Sequence, residues 1–296
     1  MRKLLCHGGA IAYNKNYIFV GRNKIDILAR SAMDVCGSVT GFRNIIDMKA
    51  DERYLYVKNS SGAYGMIDLN TFQIIKKGGC REKKSTSHDN CIYSLSSGIL
   101  FDLIQLKDGL DYIVEYDFCS RKYRKLCVGR KGYCCIQWLM DVLKHKAYVF
   151  AVQIWGPDPS PEKCYITAVD LTNFCVEQTV ELLFERNVRV KGLVGSRSVL
   201  LGNMEILDIF TKEAKALENQ KWFCENNCGN SFKVRKLAGD RFALVSSEKY
   251  FVYSLSNGKI EYSCDCNFAA GIEIIDGRAF LAPWDAFLLD EETEVK

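Results

Sequence analysis

The stretch Ala50–Lys77, ADERYLYVKNSSGAYGMIDLNTFQIIKK, contains the pattern that decides the fold. Two apolar runs, Tyr54–Val57 and Tyr64–Leu69, flank the polar turn Asn59–Gly62, and a third run, Phe72–Ile75, follows. Short runs rich in β-branched and aromatic residues, bounded by Asn, Ser and Gly, are typical of strands joined by hairpins. The stretch therefore predicts three consecutive antiparallel strands.

The same unit recurs along the chain, marked by an apolar run that ends in Asp or Ser before a polar turn. The marks are Asp26, Asp68, Asp117, Asp170, Asp208, Ser254 and Asp290, about 44 residues apart on average. A period of roughly 40 to 50 residues with several short strands per repeat is typical of β-propellers. We expect the Asp side chains at these marks to accept a hydrogen bond from the backbone two residues further on.

The repeats predict an all-β fold, a seven-bladed β-propeller with four-stranded antiparallel blades, as a single domain over residues 1–296. The last repeat is short of an outer strand, and Arg2–Cys6 is able to supply it. Pairing the N- and C-terminal strands in this way closes the predicted ring and removes exposed edges. A polar linker is predicted at Gly78–Asn90.

Two short segments carry a resemblance to known propellers. Met66–Thr71 and Ala168–Asn173 resemble the strand-end motif of WD-repeat (WD40), YVTN-type and quinoprotein-like propellers. The Gly-His and Trp-Asp pairs of WD repeats are missing, and Trp284-Asp285 lies in a predicted turn. In this superfamily, the loops that enter each blade and the hairpins between second and third strands gather on one face. The resemblance implies the fold and this loop face, and no particular protein.

On that loop face we expect a set of arginine, lysine and tryptophan side chains. The candidate binding residues are Arg22, Arg43, Lys58, Arg130, Trp155, Arg186, Arg189 and Trp284. Arginine forks match carboxylate and phosphate groups, and tryptophan supplies rigid apolar contact. The favoured hypothesis is a non-catalytic binding module that holds a protein or peptide, with Arg43, Arg130, Trp155 and Trp284 as main contacts. The alternative for these residues is a set of solvated basic loops.

Two other functions stay open. One is a metal-dependent hydrolase or lactonase-type propeller enzyme, supported by Asn44, Asn187 and Asn227 at the starts of inner strands. The other is a structural scaffold, which predicts an apolar patch on the outer rim. The sequence contains no G-x-S-x-G, H-E-x-x-H or P-loop motif, so no catalytic residue and no cofactor is predicted.

The 14 cysteines bear on compartment and metal binding. We expect most of them to be reduced thiols that pack as small apolar residues. The pairs Cys224/Cys228 and Cys264/Cys266 fall in successive connections between blades, where four thiolates would be able to hold zinc. The spacing leaves that possibility open.

Charge and hydropathy point to a cytoplasmic protein without nucleic-acid or membrane partners. The net charge of +4 is small, and no nucleic-acid-binding motif is visible. The apolar run Leu4–Cys6 is too short for a signal peptide, and no run approaches the roughly 20 residues of a membrane span. Oligomeric state stays open.

Overall fold

The computed structural model describes residues 2–7, 9–80, 82–85, 92–153, 162–184, 190–225, 232–237, 239–245, 249–265, 272–281 and 285–288. Within these ranges the chain forms 28 β-strands and one helix of six residues, α1 (Gln220–Glu225). The strands form seven four-stranded antiparallel sheets. The predicted all-β class and the four-stranded antiparallel sheets are confirmed.

The first of two compact units comprises Met1–Cys127 and Ala269–Glu291 and contains four sheets. The terminal sheet contains β1 (Arg2–His7), β26 (Ile272–Ile275), β27 (Arg278–Leu281) and β28 (Asp285–Leu288). Sheet 1 contains β2 (Ala10–Tyr13), β3 (Tyr17–Gly21), β4 (Ile25–Ala29) and β5 (Asp34–Val39). Sheet 2 contains β6 (Ile45–Ala50), β7 (Tyr54–Asn59), β8 (Ala63–Asp68) and β9 (Gln73–Gly79). Sheet 3 contains β10 (Lys83–Ser85), β11 (Ile99–Leu106), β12 (Asp111–Asp117) and β13 (Lys122–Cys127).

The second unit comprises Val128–Phe268 and Glu292–Lys296 and contains three sheets. Sheet 4 contains β14 (Tyr133–Asp141), β15 (Lys146–Gln153), β16 (Glu162–Asp170) and β17 (Cys175–Phe184). Sheet 5 contains β18 (Val190–Gly195), β19 (Ser198–Leu201), β20 (Glu205–Asp208) and β21 (Ala214–Ala216). Sheet 6 contains β22 (Lys233–Lys236), β23 (Arg241–Val245), β24 (Lys249–Ser254) and β25 (Lys259–Asp265). The single domain over 1–296 and the number of blades in one ring stay predictions.

Burial explains which runs became inner strands. In β3, Ile18, Phe19 and Val20 are all fully buried, because both faces of the strand pack against apolar neighbours. Phe19 belongs to the core cluster shared by sheets 1 and 2, whereas Ile18 belongs to a cluster with Phe280 of the terminal sheet. The edge strand β13 is instead half-buried or exposed and carries lysine and arginine, which discourage pairing with other chains.

The predicted turn chemistry is confirmed at four of the seven marks. The Asp side chain accepts a hydrogen bond from the backbone N–H two residues on, as in Asp68 to Asn70 (2.8 Å), Asp117 to Cys119 (2.6 Å), Asp170 to Thr172 (2.8 Å) and Asp208 to Phe210 (2.9 Å). Four residues after each mark the backbone takes a left-handed conformation, at Phe72, Arg121, Phe174 and Lys212. The repeat therefore reuses one turn geometry.

The other three marks differ. Asp26 is the second residue of β4, so it lies before the turn and forms an ion pair of 2.9 Å with Lys24. The Ser254 hydroxyl lies 3.1 Å from both a carboxylate oxygen of Asp240 and the Ser256 hydroxyl, and the Ser256 backbone N–H donates to Asp240 at 2.9 Å. Asp290 lies outside the described residues.

The two ends of the chain pair with each other. Strand β1 runs antiparallel to β28, with Arg2 opposite Leu288 and His7 opposite Asp285. The predicted supply of an outer strand by the N-terminus is confirmed.

The predicted linker Gly78–Asn90 is wrong in its first part. Gly78 and Gly79 end β9, and Lys83–Ser85 form β10, while residues 86–91 lie outside the described part of the chain. Packing, rather than a loop conformation, explains the glycine at position 78, because an added Cβ there would lie 1.8 Å from the Tyr116 hydroxyl oxygen.

Across the described ranges, no helix has the length and apolar character needed to span a bilayer.

Candidate functional site: a basic pocket between sheets 1 and 2

A pocket of about 840 Å³ lies where loops of sheets 1 and 2 meet. The loops are the β3–β4 turn, the connection from β5 into β6, and the β7–β8 turn. The lining residues, which we call the basic pocket, are Asn23, Gly41, Phe42, Arg43, Asn44, Asn59, Ala63, Tyr64 and Lys77. These loops are of the two kinds that the sequence resemblance assigned to the binding face.

Hydrogen bonds tie the three loops into one frame. The Ile45 backbone N–H donates to the Arg22 carbonyl at 2.7 Å, and the Asn44 N–H donates to Asn23 Oδ1 at 2.9 Å. The Asn44 carbonyl accepts from the Ser60 N–H at 2.8 Å. Asn44 has a φ of 50°, a left-handed conformation that asparagine tolerates better than most residues. The frame is thus preformed in the chain.

Phe42 and Lys77 form the packed wall of the pocket. The Phe42 ring is buried against the backbone of Gly65, where an added Cβ would lie 2.2 Å from the ring. The Lys77 ammonium lies 5.1 Å from the Phe42 ring centroid and donates to the Gly41 carbonyl at 2.9 Å. A cation over an aromatic face is stabilised by about 0.5–1 kcal/mol at an exposed site. Both contacts hold the ammonium in place.

The side chains of Asn23, Arg43, Asn59 and Lys77 present hydrogen-bond donors to the pocket. Asn23 Oδ1 is occupied by the Asn44 N–H, and Asn59 Oδ1 accepts from the Ala63 N–H at 2.8 Å. Because these bonds fix which end of each amide is the oxygen, the NH₂ groups are the ends left for a ligand. Arg43 is exposed, and its guanidinium makes no hydrogen bond or ion pair with any residue that the structure describes. The arrangement suits an anionic, acceptor-rich ligand.

A buried ion pair lies behind the pocket. Lys58 Nζ lies 2.6 Å from Asp102 Oδ1, with side-chain exposures of 0% and 2%. Tyr64, a lining residue of the pocket, is itself buried, and its hydroxyl donates to Asp102 Oδ2 at 2.7 Å. Burial, and after it the Asp102 charge, raises the pKa of Tyr64 well above its usual value. Tyr64 therefore stays protonated, and the network joins β7 and β8 of sheet 2 to β11 of sheet 3.

The structure brings part of the sequence-predicted set to this pocket. Arg43 lines it, and Arg22 is exposed in the adjoining β3–β4 turn. Lys58 was expected in a loop on the binding face, and this is corrected: β7 extends to Asn59, so Lys58 is a strand residue with a buried side chain. Trp155, Arg186, Arg189 and Trp284 lie outside the described residues.

Arg130 lies in the second unit, in the connection from β13 into β14. Its guanidinium carbon is 4.3 Å from the Tyr165 ring centroid, and the Tyr165 ring meets that of Tyr133 edge-on at 4.7 Å. Hydrogen bonding to Tyr133 and then to Glu181 raises the pKa of Tyr165 to about 12. The expected binding role of Arg130 stays a prediction, with its side chain stacked on an aromatic ring.

Comparison with known proteins identifies the fold. No protein-family model and no curated protein matches the chain. Two similar solved structures are the β-propeller domain of Cps50 (Swd1) from Myceliophteria thermophila and hydrazine synthase from Kuenenia stuttgartiensis. The first has a TM-score of 0.64 and 11% identity, over 97% of this chain and 96% of that one. The second has a TM-score of 0.65 and 10% identity, over 99% and 98%.

The chain is a β-propeller. At these identities the likeness shows the fold alone, and a propeller hosts many unrelated activities. The function of this propeller therefore has to be argued from its pocket.

Sequence reasoning missed several residues of the propeller's pocket, among them Phe42, Asn59 and Lys77. The segment Gly41–Asn44 offered one signal, since it places an aromatic, a cation and an amide in a single connection between blades. Lys77 gave no such signal, because a lysine near the end of an outer strand is usually a solvent-exposed charge.

The described residues include only some of those predicted for the zinc site and for the hydrolase alternative. Cys224, on α1, contacts the Asn203 carbonyl at 3.5 Å, whereas Cys228, Cys266 and the side chain of Cys264 lie outside the described residues. In the described part of the propeller, no three His, Cys, Asp or Glu side chains converge as metal ligands. Asn44 lines the basic pocket, and Asn187 and Asn227 lie outside the described ranges. The hydrolase alternative stays a prediction.

Proposed function

We propose that this propeller is a non-catalytic binding module that holds a segment of a partner protein or peptide in the basic pocket. The observation that carries the proposal is the donor-rich lining around the exposed Arg43, on loops that hydrogen bonds tie together. A preformed frame favours binding because little order has to be gained when the partner arrives.

The size of the pocket supports a peptide segment rather than a single ion. Ligand pockets typically measure roughly 300–1,000 Å³, and about 840 Å³ lies in the upper part of that range. Such a volume accommodates several side chains of an extended segment.

The chemistry of the lining supports binding rather than catalysis. Its described residues include no His, Cys, Ser, Thr, Asp or Glu, the side chains that most often act as nucleophile or general base. The Tyr64 hydroxyl donates its proton to Asp102, and the Lys77 ammonium donates to the Gly41 carbonyl. Both groups act as hydrogen-bond donors, and a group that donates its proton in this way is not acting as a general base.

The test is selection of short random peptides on the immobilised protein. We expect peptides to be enriched that bind the wild-type chain, and that bind the double variant Arg43→Gln/Lys77→Gln at least about tenfold more weakly. Affinities of the individual enriched peptides are measured by calorimetry for both proteins.

A control is Arg53→Gln, which removes one of sheet 2's positive charges outside the pocket. Arg53 is exposed in the β6–β7 turn, and its guanidinium lies over the Tyr54 ring. This variant should keep the wild-type affinities. Failure to enrich any peptide, or equal binding by the double variant, contradicts the proposal.

A further inference from the structure

We infer that the segment bound in the basic pocket is acidic, with Asp or Glu carboxylates that contact Arg43 and Lys77. The inference deepens the proposed function and rests on it. It concerns which side chains the pocket selects, whereas the proposed function concerns whether it binds a segment at all.

The first argument is charge. Arg43 and Lys77 line the pocket, and no carboxylate is among its described lining residues. Arg43 presents a planar fork of five N–H donors that matches a carboxylate in two places at once. The Lys77 ammonium has three protons, and one of them is used by the Gly41 carbonyl. Two positively charged donor groups are thus available to a ligand.

The second argument is the polarity of the neutral side chains. The Asn23 and Asn59 oxygens already accept backbone N–H groups, so each amide offers its NH₂ end. The Gly41 carbonyl accepts from Lys77, and the Tyr64 proton goes to Asp102. A lysine on a partner would meet two like charges and no carboxylate, while a glutamine would gain hydrogen bonds without charge. Selectivity for acidic side chains follows from repulsion as well as attraction.

The third argument concerns the kind of anion. The donors come from separate elements: Asn23 from the β3–β4 turn, Arg43 from the β5–β6 connection, Asn59 from the end of β7 and Lys77 from β9. Donors distributed around a pocket of this volume fit several singly charged carboxylates along a segment better than one compact dianion. We therefore assign the ligand as a run of Asp or Glu side chains rather than a phosphorylated residue.

The experiment uses fluorescein-labelled peptides of equal length in which Ala alternates with Glu, Gln, Lys or phosphoserine. Fluorescence anisotropy should show that the full chain binds the Glu peptide, and that it binds the Gln peptide at least about tenfold more weakly. The Lys peptide should not bind. Binding of the Glu peptide should weaken as salt is raised, because exposed charges are screened.

Variants of the pocket residues test whether the Glu peptide binds in the basic pocket. Arg43→Gln/Lys77→Gln should lose binding of the Glu peptide, whereas the charge-preserving Arg43→Lys/Lys77→Arg should retain most of it. Arg53→Gln should bind as the wild type does. Thermal melting of each variant establishes that it is folded.

The outcomes separate the inference from the proposed function. If the Gln peptide binds as tightly as the Glu peptide, or if only the phosphoserine peptide binds, the acidic assignment is overturned while the pocket remains a peptide site. If Arg43→Gln/Lys77→Gln binds the Glu peptide like the wild type, both are overturned.

Discussion

Replacing Asp102 by alanine is expected to lower the free energy of unfolding by about 3–5 kcal/mol. The Lys58 ammonium is fully buried, and its ion pair with Asp102 measures 2.6 Å. Without the carboxylate this charge has lost its counter-ion in a low-dielectric interior, and the Tyr64 hydroxyl has lost its acceptor. Urea denaturation followed by two probes measures the change and checks that unfolding is two-state.

Two controls test whether burial of the ion pair causes the loss of stability in Asp102→Ala. Arg124→Ala breaks the partly exposed pair between Arg124 and Glu115, 2.7 Å apart, and should cost less than about 1 kcal/mol. The double variant Lys58→Met/Asp102→Leu replaces the buried pair by apolar side chains and should recover most of the lost stability. A loss in Asp102→Ala no larger than that in Arg124→Ala contradicts this account.

Deletion of residues 1–8 is expected to lower the free energy of unfolding by several kcal/mol, because a whole paired strand is lost. Strand β1 is hydrogen-bonded to β28, so its removal also leaves β28 as an open edge able to pair with another molecule. Differential scanning calorimetry should show a lower melting temperature, and light scattering should show greater aggregation.

A peptide with the sequence of residues 1–8 supplies the control for this deletion. Added in trans, it should raise the melting temperature of the truncated chain in a concentration-dependent way, since it binds only the folded state. A scrambled peptide should have no effect. An unchanged melting curve after the deletion argues against a structural role for the terminal pair.

Much of the fold could be predicted because it depends on patterns of residues that are close together in the sequence. Apolar runs such as Tyr54–Val57 became inner strands since they pack on both faces, and Asp68 and Asp170 cap their turns through hydrogen bonds that span only two residues. The prediction was wrong where position within a strand mattered. Asp26 resembles the other marks in sequence but lies inside β4.

The pocket was harder to predict because distant segments build it. Lys58 looked like a loop cation, and its buried partner Asp102 is 44 residues away in another sheet. Lys77 became a binding candidate only once β9 had placed it beside Gly41 and Phe42, which belong to a different connection. Arg43 was found from sequence because it lies in a loop that enters a blade, one of the two kinds of loop that the propeller resemblance assigned to the binding face.

The most direct test of the central claim, that the basic pocket holds an acidic segment, is a nuclear magnetic resonance titration. The isotope-labelled chain is mixed with the alternating Glu–Ala peptide, and changes in backbone amide shifts are mapped onto the sequence. The account predicts that the largest changes fall in the three pocket loops, at Asn23, Arg43 and Asn44 and at the residues from Asn59 to Ala63. Largest changes in other loops, or no changes while the peptide binds, would contradict it.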